Sequence, residues 1–211
     1  MKNRWIPLVI ALIIVAGAAI YFFLSTGNTQ TYEGTELSSE APDFQLTDQN
    51  GSRVNLSDFR GKVVVLTFMD TKCADTCPLT AAHFREAYQQ FKQDEAKQVV
   101  FLGVNVNVDE SDVSDVLETT HAWRLDEIPS WHFLTGSHEV LAPVWKDYGV
   151  VAEHNPDGHS MMHTPGTFLI DPSGQERWYI STPFSSDGNT DVSLPLSELI
   201  LKRVREILRD S

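Results

Sequence analysis

The feature of this chain that most constrains its fold is an apolar segment, residues 62–69, that leads into its two cysteines. This segment, KVVVLTFM, is β-branched and apolar on both faces, as expected for a central strand covered by helices on both sides. Cys73 and Cys77 follow closely, and Pro78 fits the first position of a helix predicted to run to residue 93. The cysteines therefore lie where a central strand turns into a helix, the place where α/β folds present reactive groups.

The segments around this strand predict an α/β domain with a mixed central sheet and an N-terminal hairpin. The hairpin is predicted over residues 44–56, with Asn50 and Gly51 at its turn. Further strands are predicted at residues 99–108, 131–134, 167–170 and 176–180, and helices at residues 111–120, 140–148 and 194–209.

The N-terminus carries a candidate transmembrane anchor. Residues 5–24 form an apolar run without a charged residue, long enough to cross the hydrocarbon core as a helix of about 30 Å. Lys2 and Arg4 precede the run, and basic flanks tend to stay in the cytoplasm. An uncleaved anchor is favoured because the apolar core of a signal peptide usually has only about 7–15 residues. We therefore expect a single-pass protein of a bacterial cytoplasmic (inner) membrane, with its C-terminal domain on the periplasmic side.

The order of segments predicts one domain on a membrane tether. We expect the anchor at residues 1–24, a flexible linker rich in Ser, Thr and Gly at residues 25–40, and the domain at residues 41–211. The chain has 16 basic and 29 acidic residues and a net charge of −13, which argues against nucleic acid as a partner. Outside the cytoplasm a disulfide can persist, and this suits a cysteine pair that cycles between dithiol and disulfide.

The two cysteines are expected to be a reactive pair. The N–H groups of a helix N-terminus and the adjacent Lys72 are expected to lower thiol pKa values and make thiolate available. The pair has three intervening residues, one more than a thioredoxin-type redox loop, and it lacks the His of a covalent haem site. Two chemistries remain open, metal binding and thiol–disulfide exchange with Cys73 as the attacking thiol and Cys77 as the resolving thiol.

Five segments between roughly residues 41 and 205 stand out together: APDFQL, FRGKVVVLTF, Cys73-x3-Cys77-Pro78, WHFLTG and a His ahead of FLIDPSG. In this combination they resemble the SCO/SenC family of membrane-anchored copper chaperones. The resemblance implies a thioredoxin-like domain that binds copper, as Cu(I) or Cu(II), through Cys73, Cys77 and His163. It also implies a metallochaperone rather than an enzyme, with the copper-receiving subunit of cytochrome c oxidase or another cuproprotein as its partner.

That role would consist of delivering copper to the oxidase or maintaining the thiols of its copper site. The alternative is a membrane-anchored thiol-disulfide oxidoreductase or thiol peroxidase that uses Cys73 and Cys77, and a thiol reductant protein is a further expected partner. Two thiolates and one imidazole suit either oxidation state of copper, whereas zinc prefers a fourth protein ligand or an open water position. Oxidation of the two thiols to a disulfide would remove both thiolate ligands, so redox state would switch copper binding.

The choice of histidine is open between His163 and His159. His163 precedes Asp171 by eight residues, which is the interval between the family's ligand and the turn after its next strand, and it is preferred. His159 with Ser160 resembles a His-Ser dipeptide of the family, and His154 shares the same predicted loop. The remaining histidines are expected at the surface or in packing: His83, His121, His132 and His138.

Three other features near the site have two interpretations each. Met161 and Met162 either contact Cu(I) or fill a hydrophobic rim. Pro165 stands where thioredoxin-like oxidoreductases carry a cis-proline, and the sequence is compatible with either isomer. Asp109 and Asp112 either assist the site or mark the solvated start of a helix.

Overall fold

The computed structural model describes residues 16–17, 32–156, 160–181 and 194–211. The predicted anchor, residues 5–24, lies outside the described residues except for Ala16 and Gly17. Among the residues that are described, no helix combines the length and the apolar character needed to span a membrane.

A six-stranded mixed sheet forms the centre of the domain that begins at Glu33. The strands of the described residues, which include those of two separate hairpins, are β1 (Thr35–Glu36), β2 (Gln45–Thr47), β3 (Arg53–Asn55), β4 (Val63–Met69), β5 (Val99–Asn105), β6 (Trp131–Leu134), β7 (Ala152–His154), β8 (Met161–His163), β9 (Thr167–Ile170) and β10 (Glu176–Ile180). The helices are α1 (Thr76–Gln90), α2 (Gln93–Ala96), α3 (Val113–Ala122), α4 (His138–Asp147) and α5 (Leu196–Asp210).

The sheet has the strand order β1-β10-β9-β4-β5-β6. Strands β4, β5 and β6 run parallel, and β9, β10 and β1 add antiparallel strands on the other side of β4. The mixed sheet predicted from the sequence is therefore confirmed. The predicted strands and helices are present, with ends that differ from the prediction by three residues or fewer.

All seven residues of β4 are buried, because helices cover both faces of the sheet. Leu66 contributes to a core that includes Leu141 of α4 and Leu46 of the β2–β3 hairpin. On the opposite face, Phe84 of α1 packs against Phe101 of β5 with ring centroids 5.3 Å apart. The central, buried strand predicted from the apolar run is thus confirmed, and the residues that follow β4 lie at the carboxyl end of the parallel strands.

Helix α1 begins earlier than the sequence predicts. Its first residue is Thr76, with Asp75 as the N-cap, so Pro78 occupies the third position instead of the first. The first turn of a helix makes no intrahelical N–H bonds, and proline is therefore tolerated at this position as well. The shift brings Cys77 into the first turn, where its N–H group is available to another acceptor.

The domain also starts earlier than the predicted boundary at residue 41. Strand β1 pairs with β10, and the Arg203 side chain donates to the carbonyl oxygen of Glu33 at 3.1 and 3.0 Å. Residues 33–40, assigned to the linker by their composition, therefore belong to the domain. A two-residue edge strand has no periodicity that a sequence pattern could reveal.

The predicted loop that carries His154 and His163 contains a β-hairpin. Strands β7 and β8 pair antiparallel, with Ala152 opposite His163 and His154 opposite Met161. The N-terminal hairpin formed by β2 and β3 is present as predicted, and Gly51 at its turn has a φ of 77°, a left-handed conformation that glycine adopts without strain.

Candidate metal and thiol site

The two cysteines lie at the carboxyl end of β4 and the start of α1, as predicted. Cys73 is half-buried in the connecting loop, and its N–H group donates to the Asp70 carbonyl oxygen at 3.1 Å. Cys77 is the second residue of α1 and is 3% exposed. Both side chains are free thiols, so the structure represents the reduced pair.

The surroundings of Cys73 favour its thiolate. Its Sγ accepts the N–H of Cys77 at 3.3 Å and lies 3.2 Å from the Thr76 hydroxyl. The Cys77 thiol, then the Thr76 hydroxyl and backbone N–H groups, outweigh the effect of burial and lower the pKa of Cys73 to about 5. Lys72, also expected to act on the thiols, pairs instead with Glu110, with 3.2 Å between Nζ and Oε1.

The pKa of Cys77 is shifted in the opposite direction to that of Cys73. Its hydrogen bond to the Cys73 sulfur, its burial and the negative charge of Cys73 raise the pKa of Cys77 well above its usual value. The pair therefore consists of one accessible thiolate and one buried thiol at neutral pH. This asymmetry is what a nucleophilic thiol and its resolving partner require.

His163 lies against this pair, as the spacing argument predicts. Its Nε2 atom is 3.7 Å from Cys77 Sγ, and its Nδ1 atom is 3.2 Å from the carbonyl oxygen of Thr164. A carbonyl oxygen only accepts hydrogen bonds, so we assign the proton to Nδ1. The lone pair of Nε2 then faces Cys77.

The other histidines of the described residues make contacts elsewhere. His154 lies 2.9 Å from an Asp109 oxygen through its Nε2 atom, and His159 lies outside the described residues. The remaining four make surface or packing contacts, as predicted: His83, His121, His132 and His138.

A cleft of about 720 Å³ opens beside Cys73 and His163. Met161 and Met162 both line this cleft. Met162 is 57% exposed, whereas Met161 is 7% exposed and also belongs to the hydrophobic core. The peptide bond before Pro165 is trans. A ligand or a partner side chain can therefore reach the Cys73 sulfur from solvent, with Met162 at the rim.

The acidic residues after β5 have separate roles. Asp112 is the N-cap of α3, which fits the start of a helix. Asp109 contacts His154 of β7 and so connects the loop after β5 to the β7–β8 hairpin.

Asp70 is a site residue that the sequence analysis missed. It follows β4 directly, is fully buried, and accepts hydrogen bonds from Lys72 and Met161 backbone N–H groups at 2.8 and 2.6 Å. A charged residue at the end of an otherwise apolar strand was the available signal.

Each contact between the thiols and a possible metal ligand joins two side chains. Within the described part of the chain, no three or more His, Cys, Asp or Glu side chains are already arranged around one metal position. Cys73 and His163 line the cleft, and Cys77 contacts both of them.

Comparisons with known proteins agree with this architecture. The family model described as SCO1/SenC matches residues 33–189. The thiol-disulfide oxidoreductase ResA of Bacillus cereus is 34% identical over 175 residues, covering 82% of this chain and 86% of the relative.

Two solved structures confirm the thioredoxin-like fold. The apo Sco1 protein of Thermus thermophilus has a TM-score of 0.66 and 25% identity, covering 85% of this chain and 99% of that one. The copper-bound ScoI of Bradyrhizobium japonicum has a TM-score of 0.61 and 25% identity, covering 80% of this chain and 99% of that one. Since the family match runs through both cysteines and His163, this chain belongs to the SCO1/SenC family.

Proposed function

We propose that this protein binds copper through Cys73, Cys77 and His163 outside the cytoplasmic membrane. It delivers copper to the copper site of cytochrome c oxidase, or maintains the thiols of that site. The observation that carries the proposal is the 3.7 Å distance between His163 Nε2 and Cys77 Sγ. Thiol–disulfide exchange needs no imidazole at this position, whereas a mixed sulfur and nitrogen metal site does.

This distance fits two ligands of one three-coordinate metal ion. Metal–sulfur and metal–nitrogen bonds of about 2.3 and 2.0 Å at an angle of about 120° place the two ligand atoms about 3.7 Å apart. The contact between Nδ1 and the Thr164 carbonyl oxygen orients the ring, as the outer partners of metal-binding histidines commonly do. The imidazole is thus held in position before the metal arrives.

This set of ligands also suits a copper ion that must be released to a partner. Copper binding requires both thiolates, and the lowered pKa of Cys73 supplies the first one at neutral pH. The second requires that Cys77, whose pKa is raised, loses its proton. A low coordination number beside an open cleft allows transfer to a partner with similar ligands.

The location is supported by the N-terminal sequence. Residues 5–24 are long and apolar enough for an anchor, and Lys2 and Arg4 favour a cytoplasmic N-terminus. A phosphatase fused after Leu24 should be active in an assay for exported proteins. Activity restricted to a cytoplasmic reporter at the same position would refute both the anchor and the compartment.

Copper titration of the reduced full-length protein in detergent tests the metal site. We expect one copper per chain and a thiolate-to-Cu(II) charge-transfer absorption that is lost in Cys73→Ser and Cys77→Ser. His163→Ala should shift or weaken this absorption and lower the affinity. His154→Ala is the matched control, because it removes a histidine of the same hairpin whose contact is Asp109.

The result for His159 decides the remaining alternative. If His159→Ala loses the copper signal and His163→Ala retains it, the assignment of His163 is wrong. If neither histidine affects the spectrum or the affinity, copper is not bound by the proposed ligand set.

A second function, thiol–disulfide exchange, is favoured by the asymmetry of the two thiols and by the 34% identity to ResA. In this reaction the Cys73 thiolate attacks a substrate disulfide, forms a mixed disulfide and releases one substrate thiolate. Cys77 then loses its proton, attacks Cys73 and releases the second substrate thiolate. The substrate gains two electrons, and a thiol reductant must return two electrons to the Cys73–Cys77 disulfide.

His163→Ala separates the two functions, because it removes a metal ligand and leaves both thiols. For a copper chaperone, cells carrying this variant should lack active oxidase, and added copper should partly restore it. For an oxidoreductase, the variant should retain function, small thiols should rescue a deletion, and the purified protein should reduce insulin well above the rate of free dithiothreitol. Strong insulin reduction with a fully functional His163→Ala protein would favour the second function.

A further inference from the structure

Asp70 is a buried carboxylate that is not one of the proposed copper ligands. We propose that Asp70 is a positioning residue that holds the β7–β8 hairpin, and with it His163, against the cysteine loop. The inference rests on the proposed function insofar as it assigns the purpose of this link to copper binding. The link itself is a feature of the reduced, metal-free protein.

The two oxygens of Asp70 connect three segments of the chain. Oδ1 accepts the Lys72 N–H at 2.8 Å and the Asn107 side-chain N–H at 2.7 Å, and Oδ2 accepts the Met161 N–H at 2.6 Å. Lys72 precedes Cys73, and Met161 lies on β8 two residues before His163. A single side chain thus joins the loop that carries the thiols to the strand that carries the imidazole.

Asn107, the hydrogen-bond partner of Asp70 in the loop after β5, is fixed by further hydrogen bonds. The Asn107 N–H donates to Asn105 Oδ1 at 2.9 Å, and Asn105 Nδ2 donates to the Asn107 and Glu110 carbonyl oxygens at 3.0 and 2.8 Å. Asn105 and Asn107 are both buried. The carboxylate therefore rests on a rigid support, so its position fixes that of the Met161 backbone.

A buried charged side chain such as Asp70 is not needed merely to terminate a strand. Asp70 is fully buried, and among the described residues no Lys, Arg or His forms a salt bridge with it. A buried carboxylate without a basic partner is costly unless several N–H groups solvate it. Only a carboxylate offers acceptor oxygens in both directions, toward the cysteine loop and toward the hairpin.

Asp70→Asn is the informative substitution because it keeps the size and shape of the side chain. The single amide oxygen retains most hydrogen bonds when it faces the Lys72 and Asn107 donors. The amide NH₂ then faces the Met161 N–H, donor against donor. This change should release the hairpin selectively while the cysteine loop keeps its contact.

Asp48→Asn is the matched control. Asp48 is 2% exposed, and its Oδ1 accepts the N–H groups of Asn50 and Ser52, both at 2.9 Å, at the β2–β3 turn. The same substitution there changes another buried carboxylate that solvates backbone N–H groups. It should cost folding stability while leaving copper affinity unchanged.

Copper affinity of the reduced full-length protein in detergent is measured for wild type, Asp70→Asn, His163→Ala, the double variant and Asp48→Asn. We expect Asp70→Asn to lower the affinity by about 10–100-fold, as the loss of an outer partner of a metal ligand commonly does. The charge-transfer band should shift in the direction seen for His163→Ala. In the His163→Ala background, Asp70→Asn should cause no further loss of affinity, because the ligand that it positions is absent. The removed carboxylate charge, which raises the pKa of Cys77, can only increase the affinity there.

Hydrogen exchange of the metal-free protein tests the link independently of copper. The peptide that contains Met161 should exchange faster in Asp70→Asn and remain protected in Asp48→Asn. Unchanged protection would overturn the inference, and so would an equal loss of copper affinity in the presence and absence of His163. If wild type binds no copper but its Met161 amide depends on Asp70, the proposed function fails and the positioning link stands.

Discussion

Removal of the Cys77 side chain should raise the pKa of Cys73 in the reduced, metal-free protein. The hydrogen bond from the Cys77 thiol is the largest of the effects that lower this pKa to about 5. In Cys77→Ala, the backbone N–H of residue 77 and the Thr76 hydroxyl can still stabilise the thiolate, since neither depends on the sulfur that is removed.

The size of the change follows from the strength of the lost interaction. A hydrogen bond to a charged group contributes about 1.5–3 kcal/mol, and one pH unit corresponds to about 1.4 kcal/mol. The pKa of Cys73 should therefore rise by about 1–2 pH units in Cys77→Ala. At pH 5 the thiolate population, and with it the rate of alkylation, should fall by about 5–50-fold.

Iodoacetamide alkylation from pH 4 to pH 9, followed by mass spectrometry, measures this change. Cys77→Ser is the graded control, because its hydroxyl can still donate to Cys73 and should give a smaller rise. If the inflection for Cys73 is the same in wild type and Cys77→Ala, the thiol pair is not the cause of the low pKa. A wild-type inflection near that of free cysteine would refute the thiolate assignment itself.

Three further outcomes are expected. The folded-state pKa of Cys73 lies below its usual value of 9.0, so the free energy of unfolding should fall as pH decreases from about 8 to 5. The slope should be at most about 1.4 kcal/mol per pH unit, and smaller because Cys73 is partly exposed. This slope should flatten in Cys73→Ser. Arg203→Ala should release the segment at Glu33 and speed limited proteolysis there. Gly166→Ala should lower the thermal midpoint, because its Cβ would lie 2.3 Å from the Tyr179 ring.

The parts of the fold that were predictable from the sequence are those with a local signal. Strand β4 is apolar along its whole length, and Asn50 with Gly51 marks a hairpin turn. The cysteine pair follows the strand within a few residues, so its place at the strand–helix junction was also fixed locally. His163 required the family resemblance, since several histidines lie within one short segment.

The parts that the sequence did not predict depend on distant contacts. Strand β1 exists because it pairs with β10, and neither its length nor its composition indicates a strand. The hydrogen bond between Asp70 and Met161 joins residues 91 positions apart. Lys72, expected to act on the thiols, is not among the main causes of the lowered pKa of Cys73, and its charge pairs with Glu110, which lies far away in the sequence.

The asymmetry of the thiols gives the two candidate functions different pH dependences. Between pH 7 and 9 Cys73 is already a thiolate and Cys77 is still protonated. Copper needs both thiolates, so each binding event releases the Cys77 proton and the affinity should rise about tenfold per pH unit. The first attack on a small disulfide needs only Cys73, so its rate should stay nearly constant over this range. A copper affinity independent of pH would show that Cys77 does not become a ligand.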